Sequence, residues 1–344
     1  SRAGLPILGN VLLRTEANRL LVAATNLEIA ATCYVGAKIT KPGELTLPAK
    51  LISEFIASLP RGTVDIVSKG MSMTISSGNY SSIMSGVDAG EFPELPSIDE
   101  NQAVTYTIAV ADFKQAVSQT IITTSNDTSR PVLTGVYWHT DGGKLYLAGT
   151  DGYRLAQRRL FDTTSEIAAI VPTSSLQEVL RTISDSTDQV EVLFDDEQVR
   201  FRVDDSEITS RLIEGSYPKY QQLIPATSET QARVKMDDFS RIVKIAGLFA
   251  RNSGGSVTVT VDGEKNNISI HSIASELGEN TSSADAEVTG GGVLTLNSRY
   301  ITDALGVIDG DSVDFRFSGK LSPCVLSPAS ENSDYIHIIM PLKS

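Results

Sequence analysis

Apolar residues recur at helical spacing in three short stretches that resemble one another. The stretches begin at Leu47 ("LPAKLISEFIASLP"), Val171 ("VPTSSLQEVLRTIS") and Leu296 ("LNSRYITDALGVID"). Each carries apolar residues at i, i+3, i+4 and i+7, the spacing of one face of an α-helix. The pattern predicts three amphipathic helices, with stripes made of Ile52, Phe55, Ile56, Leu59; of Leu176, Val179, Leu180, Ile183; and of Ile301, Ala304, Leu305, Ile308.

The three stretches belong to a longer repeat with an offset of about 125 residues, and such a repeat is the first feature to seek in a sequence. "LPILGNVLL" from Leu5 matches "RPVLTGVYW" from Arg130, and "ATNLEIA" from Ala24 matches "GTDGYRLA" from Gly149. "EFPEL" and "SYPKY" share the same offset. A second helix type is predicted from "ADFKQAVSQTI" and "DDFSRIVKIAG", whose inward residues are Phe113, Val117, Ile121 and Phe239, Val243, Ala246.

Short alternating stretches such as "KLYLAG", "QVRFRV" and "SVTVTV" lie between the helices and predict β-strands. A unit of about 125 residues is too long for a solenoid repeat and has the size of a domain. We therefore predict an α+β chain of three repeated domains over residues 1–103, 104–230 and 231–344. The first unit would lack about 22 residues, including a first helix, when aligned with the second. Linkers are expected at Leu95–Ala103 and Ile224–Ala232.

Composition is that of an ordinary globular protein, with 344 residues, 41% hydrophobic residues and a formal net charge of −13. No apolar run reaches the ~18 residues that a membrane-spanning helix needs. The acidic balance argues against a nucleic-acid binder held by bulk charge, although one restricted DNA-facing surface stays open. The two cysteines, Cys33 and Cys324, have no metal-ligand spacing, which favours a reduced, cytoplasmic protein.

Motifs for catalysis are missing. "GGKL" and "SGKL" lack the Ser or Thr that a phosphate-binding loop needs after its lysine. The three histidines, His139, His271 and His337, lie on three different predicted strands without metal-ligand spacing. "DGDSVD" at 309–314 lacks the later ligands of a calcium loop, so a turn is the better interpretation. We expect no enzyme; a hydrolase on a repeated scaffold is the less favoured alternative.

Repeated domains with exposed edges can close into a ring through head-to-tail contacts. The ordered motifs "LPILGNVLL", "LPAKL", "EFPEL", "RPVLTGV", "TDGYRLA", "SYPKY", "LNSRY" and "IIMPLKS" resemble those of the bacterial DNA polymerase III beta subunits, the sliding clamps. The resemblance covers essentially the whole chain. It implies a homodimeric ring around duplex DNA, with helices inside and antiparallel sheets outside. It also implies a tether for the polymerase, with no cofactor and no metal.

The family docks linear peptide motifs of the polymerase III catalytic subunit, the clamp loader, other polymerases and repair proteins in a pocket between the second and third domains. Apolar side chains and methionine suit such a slot, and arginines suit peptide carbonyls or carboxylates. Carried over by motif, the pocket comprises Arg130, Leu133, Thr150, Gly152, Tyr153, Arg154, Leu155, Pro218, Leu223, Ile338, Met340, Pro341 and Leu342.

The resemblance also places Leu248 and Phe249 in the dimer contact. Charges on the five predicted helices nearly cancel, so retention on DNA is expected to be topological rather than electrostatic. The basic residues expected to face DNA are Arg2, Lys50, Lys114, Arg181, Arg241, Lys244 and Arg299.

Three positions depart from the family pattern and concern the rim of the pocket. Tyr153 stands where histidine is common, Gln222 where a basic residue is common, and the chain ends in Lys343-Ser344 where Arg-Leu is frequent. Besides the clamp, a monomeric peptide-binding adaptor stays open as an alternative. The mass in solution separates the two.

Overall fold

A computed structural model describes residues 5–274, 278–330 and 333–342. Its α-helices are α1 (Ala49–Ser58), α2 (Val110–Ile121), α3 (Thr173–Thr182), α4 (Met236–Phe249) and α5 (Ser298–Leu305). Each overlaps the stretch from which apolar spacing predicts it. However, α1, α3 and α5 end before Leu59, Ile183 and Ile308, which the spacing had placed last in their stripes.

The strands of the first repeat are β1 (Asn10–Glu16), β2 (Arg19–Thr25), β3 (Ile29–Gly36), β4 (Glu44–Pro48), β5 (Asp65–Lys69), β6 (Ser72–Ser77) and β7 (Tyr80–Ser85). Those of the second are β8 (Val104–Ala109), β9 (Gly135–Asp141), β10 (Lys144–Thr150), β11 (Arg154–Asp162), β12 (Ala168–Pro172), β13 (Gln189–Phe194), β14 (Gln198–Val203) and β15 (Ser206–Arg211). Those of the third are β16 (Thr230–Lys235), β17 (Ser256–Asp262), β18 (Asn267–Ala274), β19 (Gly278–Thr289), β20 (Gly292–Asn297), β21 (Ser312–Phe317), β22 (Cys324–Pro328) and β23 (Tyr335–Ile339).

The apolar stripes of the helices are buried largely as predicted. Ile301 and Ala304 of α5 are fully buried, and so are Phe239 and Ala246 of α4. The α1 stripe is narrower than predicted, because Ile56 is 41% exposed and only Ile52 of this helix is buried. The Asn297 side chain accepts a hydrogen bond from the Arg299 N–H and so caps the start of α5.

The chain forms two compact units. The first unit comprises residues 1–110 and 175–212, and the second comprises residues 111–174 and 213–344. The first unit contains an antiparallel sheet with the order β4-β1-β2-β3-β15-β14-β13-β8 and a separate sheet β5-β6-β7. In the larger sheet β3 of the first repeat pairs with β15 of the second, with Ala31 opposite Ile208.

The second unit contains a sheet of twelve strands with the order β12-β9-β10-β11-β23-β22-β21-β16-β19-β18-β17-β20. Here β11 of the second repeat pairs with β23 of the third, with Leu155 opposite Ile338. Its largest core packs α4 and α5 against the strands of the third repeat around Phe239, Phe315 and Ile301. One face of β23 thus contributes Tyr335 and Ile339 to this core.

Both cysteines are free thiols, and burial raises the pKa of Cys324 well above its usual value. In the part of the chain that the structure describes, no helix combines the length and the apolar character that crossing a membrane requires.

Candidate partner-binding site

The stretch Thr150–Leu155 forms a tight hairpin between β10 and β11. The Asp151 carboxylate accepts hydrogen bonds from the main-chain N–H groups of Tyr153 (2.9 Å) and Arg154 (3.0 Å). The Thr150 hydroxyl donates to the Arg154 carbonyl (2.6 Å) and accepts from the Gly152 N–H (3.1 Å). Gly152 has a φ of +92°, a conformation that side-chain-bearing residues rarely adopt. The Asp-Gly sequence therefore sets the shape of the turn.

The last strand of the chain lies beside this hairpin. After β23 ends, the Met340 N–H donates to the Tyr153 carbonyl over 2.9 Å. Two residues later, the Leu342 N–H donates to the Thr295 carbonyl of β20 over 2.8 Å. The tail of the third repeat is thus fixed against the hairpin of the second by main-chain hydrogen bonds, which do not depend on side-chain identity.

The floor of the site is apolar and closed. Leu155 and Ile338 are cross-strand partners, and both are at most 2% exposed. They pack in one cluster with Ala148, Tyr220 and Val325, against which Tyr137, Tyr217, Ile224 and Ile336 also pack.

Aromatic rings form the wall next to this floor. The Tyr137 ring stacks on Tyr217 at 4.7 Å between centroids and on His139 at 4.6 Å. The His139 Nε2 is hydrogen-bonded to the Tyr220 hydroxyl at 2.7 Å. Burial lowers the pKa of His139 and raises the pKa of Tyr217 and Tyr220. These rings are neutral near pH 7 and give the wall its fixed shape.

The rim offers the surface that a ligand would meet. Tyr153 is 62% exposed and Leu223 is 44% exposed, and Pro218 is exposed as well. Met340, Pro341 and Leu342 are half-buried, whereas Leu133 is buried and Thr150 is 8% exposed. The thirteen residues expected in the pocket therefore divide into buried supports and an exposed apolar rim.

The two arginines differ in their surroundings. Arg130 is half-exposed, pairs with Asp127 at 3.2 Å and lies beside Gly152. Arg154, by contrast, is 10% exposed and turns towards α5, where its Nη1 lies 2.6 Å from Asp303 and its Nε 3.0 Å from Asp151. The role of Arg154 in binding a peptide stays a prediction, and in the single chain two carboxylates contact its guanidinium.

Several contributors to the site lay outside the sequence-based prediction. Tyr300 of α5 stacks under the Arg154 guanidinium at 4.5 Å, and Val325 of β22 completes the floor. The tyrosines of "SYPKY" could have indicated the aromatic wall. No local sequence pattern connects Asp303 with the hairpin.

The basic residues expected to face DNA are all exposed where the structure describes them: Lys50, Lys114, Arg181, Arg241, Lys244 and Arg299. Four of them have an acidic neighbour on their own helix: Arg181 pairs with Glu178, Arg241 with Asp238, Lys50 lies 3.9 Å from Glu54, and Arg299 lies 4.0 Å from Asp303. Arg2 lies outside the described residues.

The residues expected at the dimer contact lie at the end of α4. Leu248 is 53% exposed and Phe249 is half-buried, while Ala246, one turn earlier, is fully buried. Ile273 at the end of β18 is 54% exposed, and its carbonyl accepts a hydrogen bond from Ser253, which follows α4.

The three histidines have different surroundings. His337 is fully buried beside Tyr335, and burial lowers its pKa to about 3. His271 is hydrogen-bonded to Thr281. Among residues 5–274, 278–330 and 333–342, no three His, Cys, Asp or Glu side chains are grouped so that they could hold a metal ion.

Sequence comparison matches the chain to three domain families in order. The profile of the DNA polymerase III beta subunit N-terminal domain matches residues 1–96, that of the central domain residues 107–219, and that of the C-terminal domain residues 221–343. A curated relative from Staphylococcus epidermidis, named beta sliding clamp, is 30% identical over all of this chain and 93% of its own length.

Solved structures agree with this match. The sliding clamp of Bacillus subtilis superimposes with a TM-score of 0.93 at 26% identity, covering 100% of this chain and 93% of its own. The beta subunit from Streptococcus pyogenes gives the same TM-score at 23% identity, covering 100% and 94%, and supports the fold alone. The chain therefore belongs to the DNA polymerase III beta subunit family, the beta sliding clamps, which are accessory subunits of a DNA polymerase rather than enzymes.

Proposed function

We propose that two copies of this chain close head-to-tail into a ring that encircles duplex DNA and tethers the replicative DNA polymerase. In this function the chain catalyses no reaction, works in the cytoplasm and docks partners through the site around Tyr153 and Met340. The observation that carries the proposal is a strand pairing between successive repeats. It occurs twice within the chain and leaves β7 and the first part of β19 without the corresponding partner.

Successive repeats are joined in the same way. The strands β3, β11 and β19 occupy equivalent places in the three repeats, and so do β7, β15 and β23. Within the chain β3 pairs with β15 and β11 pairs with β23. By this rule β19 needs a partner equivalent to β15, and β7 needs a partner equivalent to β11.

The required edges are open in the described part of the chain. The strand β7 ends its sheet, since its neighbour on one side is β6 and none is described on the other. The strand β19 pairs with β18 along Gly278–Asp285, but β16 covers its other edge only from Ala286 onward. An unpaired strand edge is a template for pairing with another chain. Pairing β7 of one copy with β19 of another continues the rule and gives a heterologous interface, which closes into a ring when the rotation permits.

Exposed apolar side chains lie on both candidate surfaces. In the first unit Ile83 and Tyr80 of β7 are 75% and 54% exposed. In the second unit Leu248, Phe249 and Ile273 form the exposed end of α4 and β18. Exposed apolar residues beside an open strand edge suit an interaction surface, and association would remove them from water.

The charge pattern suits an enclosed duplex. Six basic side chains are exposed on the helices, yet the chain as a whole carries a formal charge of −13. A protein that grips DNA needs many uncompensated Lys and Arg contacts, whereas a closed ring is retained by topology. The basic residues then reduce repulsion and permit sliding.

The first test of this proposal is the mass of the protein in solution. Multi-angle light scattering should give twice the mass of the single chain at micromolar concentration, with dissociation on dilution. A stable single-chain mass at all concentrations would contradict the ring and leave a monomeric peptide-binding adaptor as the better account.

A further inference from the structure

We propose that Asp303 of α5 is a specificity-determining residue of the docking site. By pairing with Arg154 at the hairpin, it neutralises that guanidinium, so that the side chains of a partner beside Tyr153 are selected to be neutral. This inference rests on the proposed docking function and adds the chemistry of the partners that the site selects.

Two of the three guanidinium nitrogens of Arg154 are held by carboxylates. Its Nη1 lies 2.6 Å from the Asp303 carboxylate and its Nε lies 3.0 Å from Asp151. The Tyr300 ring covers the guanidinium at 4.5 Å. With 10% of the side chain exposed, little of this charge faces solvent or a ligand. Asp303 also lies 4.0 Å from the exposed Arg299. The two carboxylates therefore balance two arginines, and this cluster has no surplus positive charge.

The same carboxylates connect the arginine to the hairpin backbone. Asp151 binds the Arg154 side chain and also accepts from the N–H groups of Tyr153 and Arg154. The Tyr153 carbonyl then accepts from Met340. The position of the Arg154 side chain is therefore linked, within one turn, to the two main-chain segments that frame the rim.

The second arginine at the hairpin does not supply the missing charge. Arg130 pairs with Asp127, which is itself held by Ser129. Hydrogen bonds from Ser129 and Arg130 lower the pKa of Asp127, so this carboxylate stays ionised and continues to balance Arg130. Each arginine beside Gly152 thus has at least one carboxylate of its own.

A partner can consequently gain little from an acidic residue at this place. The remaining contacts are the exposed Tyr153, Leu223 and Pro218 and the half-buried Met340, together with main-chain groups. Apolar side chains and amides match such a surface, since buried apolar area and neutral hydrogen bonds supply the affinity.

The test compares two short acetylated peptides, each with a glutamine followed by apolar residues. They differ only in a Glu or a Gln at the position that faces the hairpin. The wild-type dimer should bind both within about twofold, because a further carboxylate meets an already neutralised arginine. In Asp303→Asn, the Glu peptide should bind about tenfold more tightly than the Gln peptide, because its carboxylate replaces the lost one. The preference should vanish in the Asp303→Asn, Arg154→Gln double variant.

Asp238→Asn is the control, since it removes an aspartate from an exposed Arg–Asp pair on α4, away from the hairpin. The Asp238→Asn variant should keep the wild-type ratio of the affinities for the two peptides. A tenfold preference of the wild type for the Glu peptide, or an unchanged ratio in Asp303→Asn, would overturn the inference. If Asp303→Asn weakened the binding of both peptides equally, so that the ratio of their affinities stayed unchanged, Asp303 would have a structural role only.

A separate readout does not need a peptide. Hydrogen exchange of the Arg154 Nε–H, followed by NMR, should be slow in the wild type and at least about tenfold faster in Asp303→Asn, where the guanidinium is held on one side only. If neither peptide binds the wild type, the docking function fails. The exchange rate then still decides whether Asp303 holds Arg154.

Discussion

The Met340 N–H donates a hydrogen bond to the Tyr153 carbonyl over 2.9 Å, and this bond joins the tail of the third repeat to the hairpin of the second. The two residues are far apart in sequence, and β11 and β23 bring them together. The exposed Tyr153 ring and the half-buried Met340 side chain therefore lie on adjoining segments, and we assign the docking of partners to this place.

Substitution Met340→Asp should abolish peptide docking while the dimer persists. A carboxylate placed among half-buried apolar groups loses hydration and finds no partner, so we expect affinity to fall at least about a hundredfold. Isothermal calorimetry with the Gln peptide measures the loss. Met71→Asp, an exposed methionine in the first unit, should bind as the wild type does. Normal binding by Met340→Asp would move the site elsewhere.

The proposed interface predicts folded single chains when either side is charged. Ile83→Asp on β7 and the double change Leu248→Asp, Phe249→Asp on α4 should each halve the mass seen by light scattering, because association would bury the new carboxylates. Circular dichroism should be unchanged, since Ile83 and Leu248 are exposed in the single chain. Leu321→Asp, at an equally exposed leucine, is the control and should remain dimeric.

Burial of His337 makes stability depend on pH in a defined direction. Its pKa is lowered to about 3 in the folded chain, whereas in the unfolded chain it takes its ordinary value near 6.5. Between these values the unfolded state binds the extra proton, so the free energy of unfolding falls as pH decreases below about 6.5, by up to about 1.4 kcal/mol per pH unit. Above pH 7 this residue contributes no pH dependence.

His337→Gln should flatten that part of the profile in urea unfolding between pH 7 and pH 5. The control is His271→Gln, which makes the same substitution at a partly exposed histidine on β18. An equally steep profile in His337→Gln would assign the pH dependence to other groups, of which the partly buried His139 is the first candidate.

Close packing between β10 and α2 predicts a strong effect of one methyl group. A Cβ on Gly149 would lie 2.6 Å from the Thr123 hydroxyl and would also collide with the Thr120 carbonyl. Because backbone must move to accept it, Gly149→Ala should lower the free energy of unfolding by about 3 kcal/mol or more. Gly9→Ala, where no atom lies within 4 Å of the added carbon, should change it by less than about 1 kcal/mol.

Much of the fold could be predicted from the sequence because its signals are local and repeated. Apolar spacing placed α5 and its buried Ile301 and Ala304, and strict alternation placed β17. The burial of Ile56 was predicted wrongly, because apolar spacing identifies one face of a helix but not how much of that face other residues cover. In α1 that face is only partly covered. The domain boundaries at 103 and 230 stay a prediction.

The site could be predicted only in part, for a physical reason. The hairpin could be predicted because the local sequence Asp151-Gly152 favours a tight turn. The direction of Arg154 was not, because it depends on Asp303 and Tyr300, which only the folded chain brings near. Likewise, the closed floor under Leu155 could not be predicted, because it depends on the pairing of β11 with β23.

Retention on circular DNA is the measurement that bears most directly on the central claim. Dimer loaded on nicked circular duplex should stay bound through gel filtration at moderate salt and leave within minutes after a restriction enzyme linearises the DNA. Blocking both ends of the linear DNA with bound protein should restore retention. Equal retention on circular DNA and on linear DNA with open ends would contradict encirclement and show that the chain holds DNA by direct contacts instead.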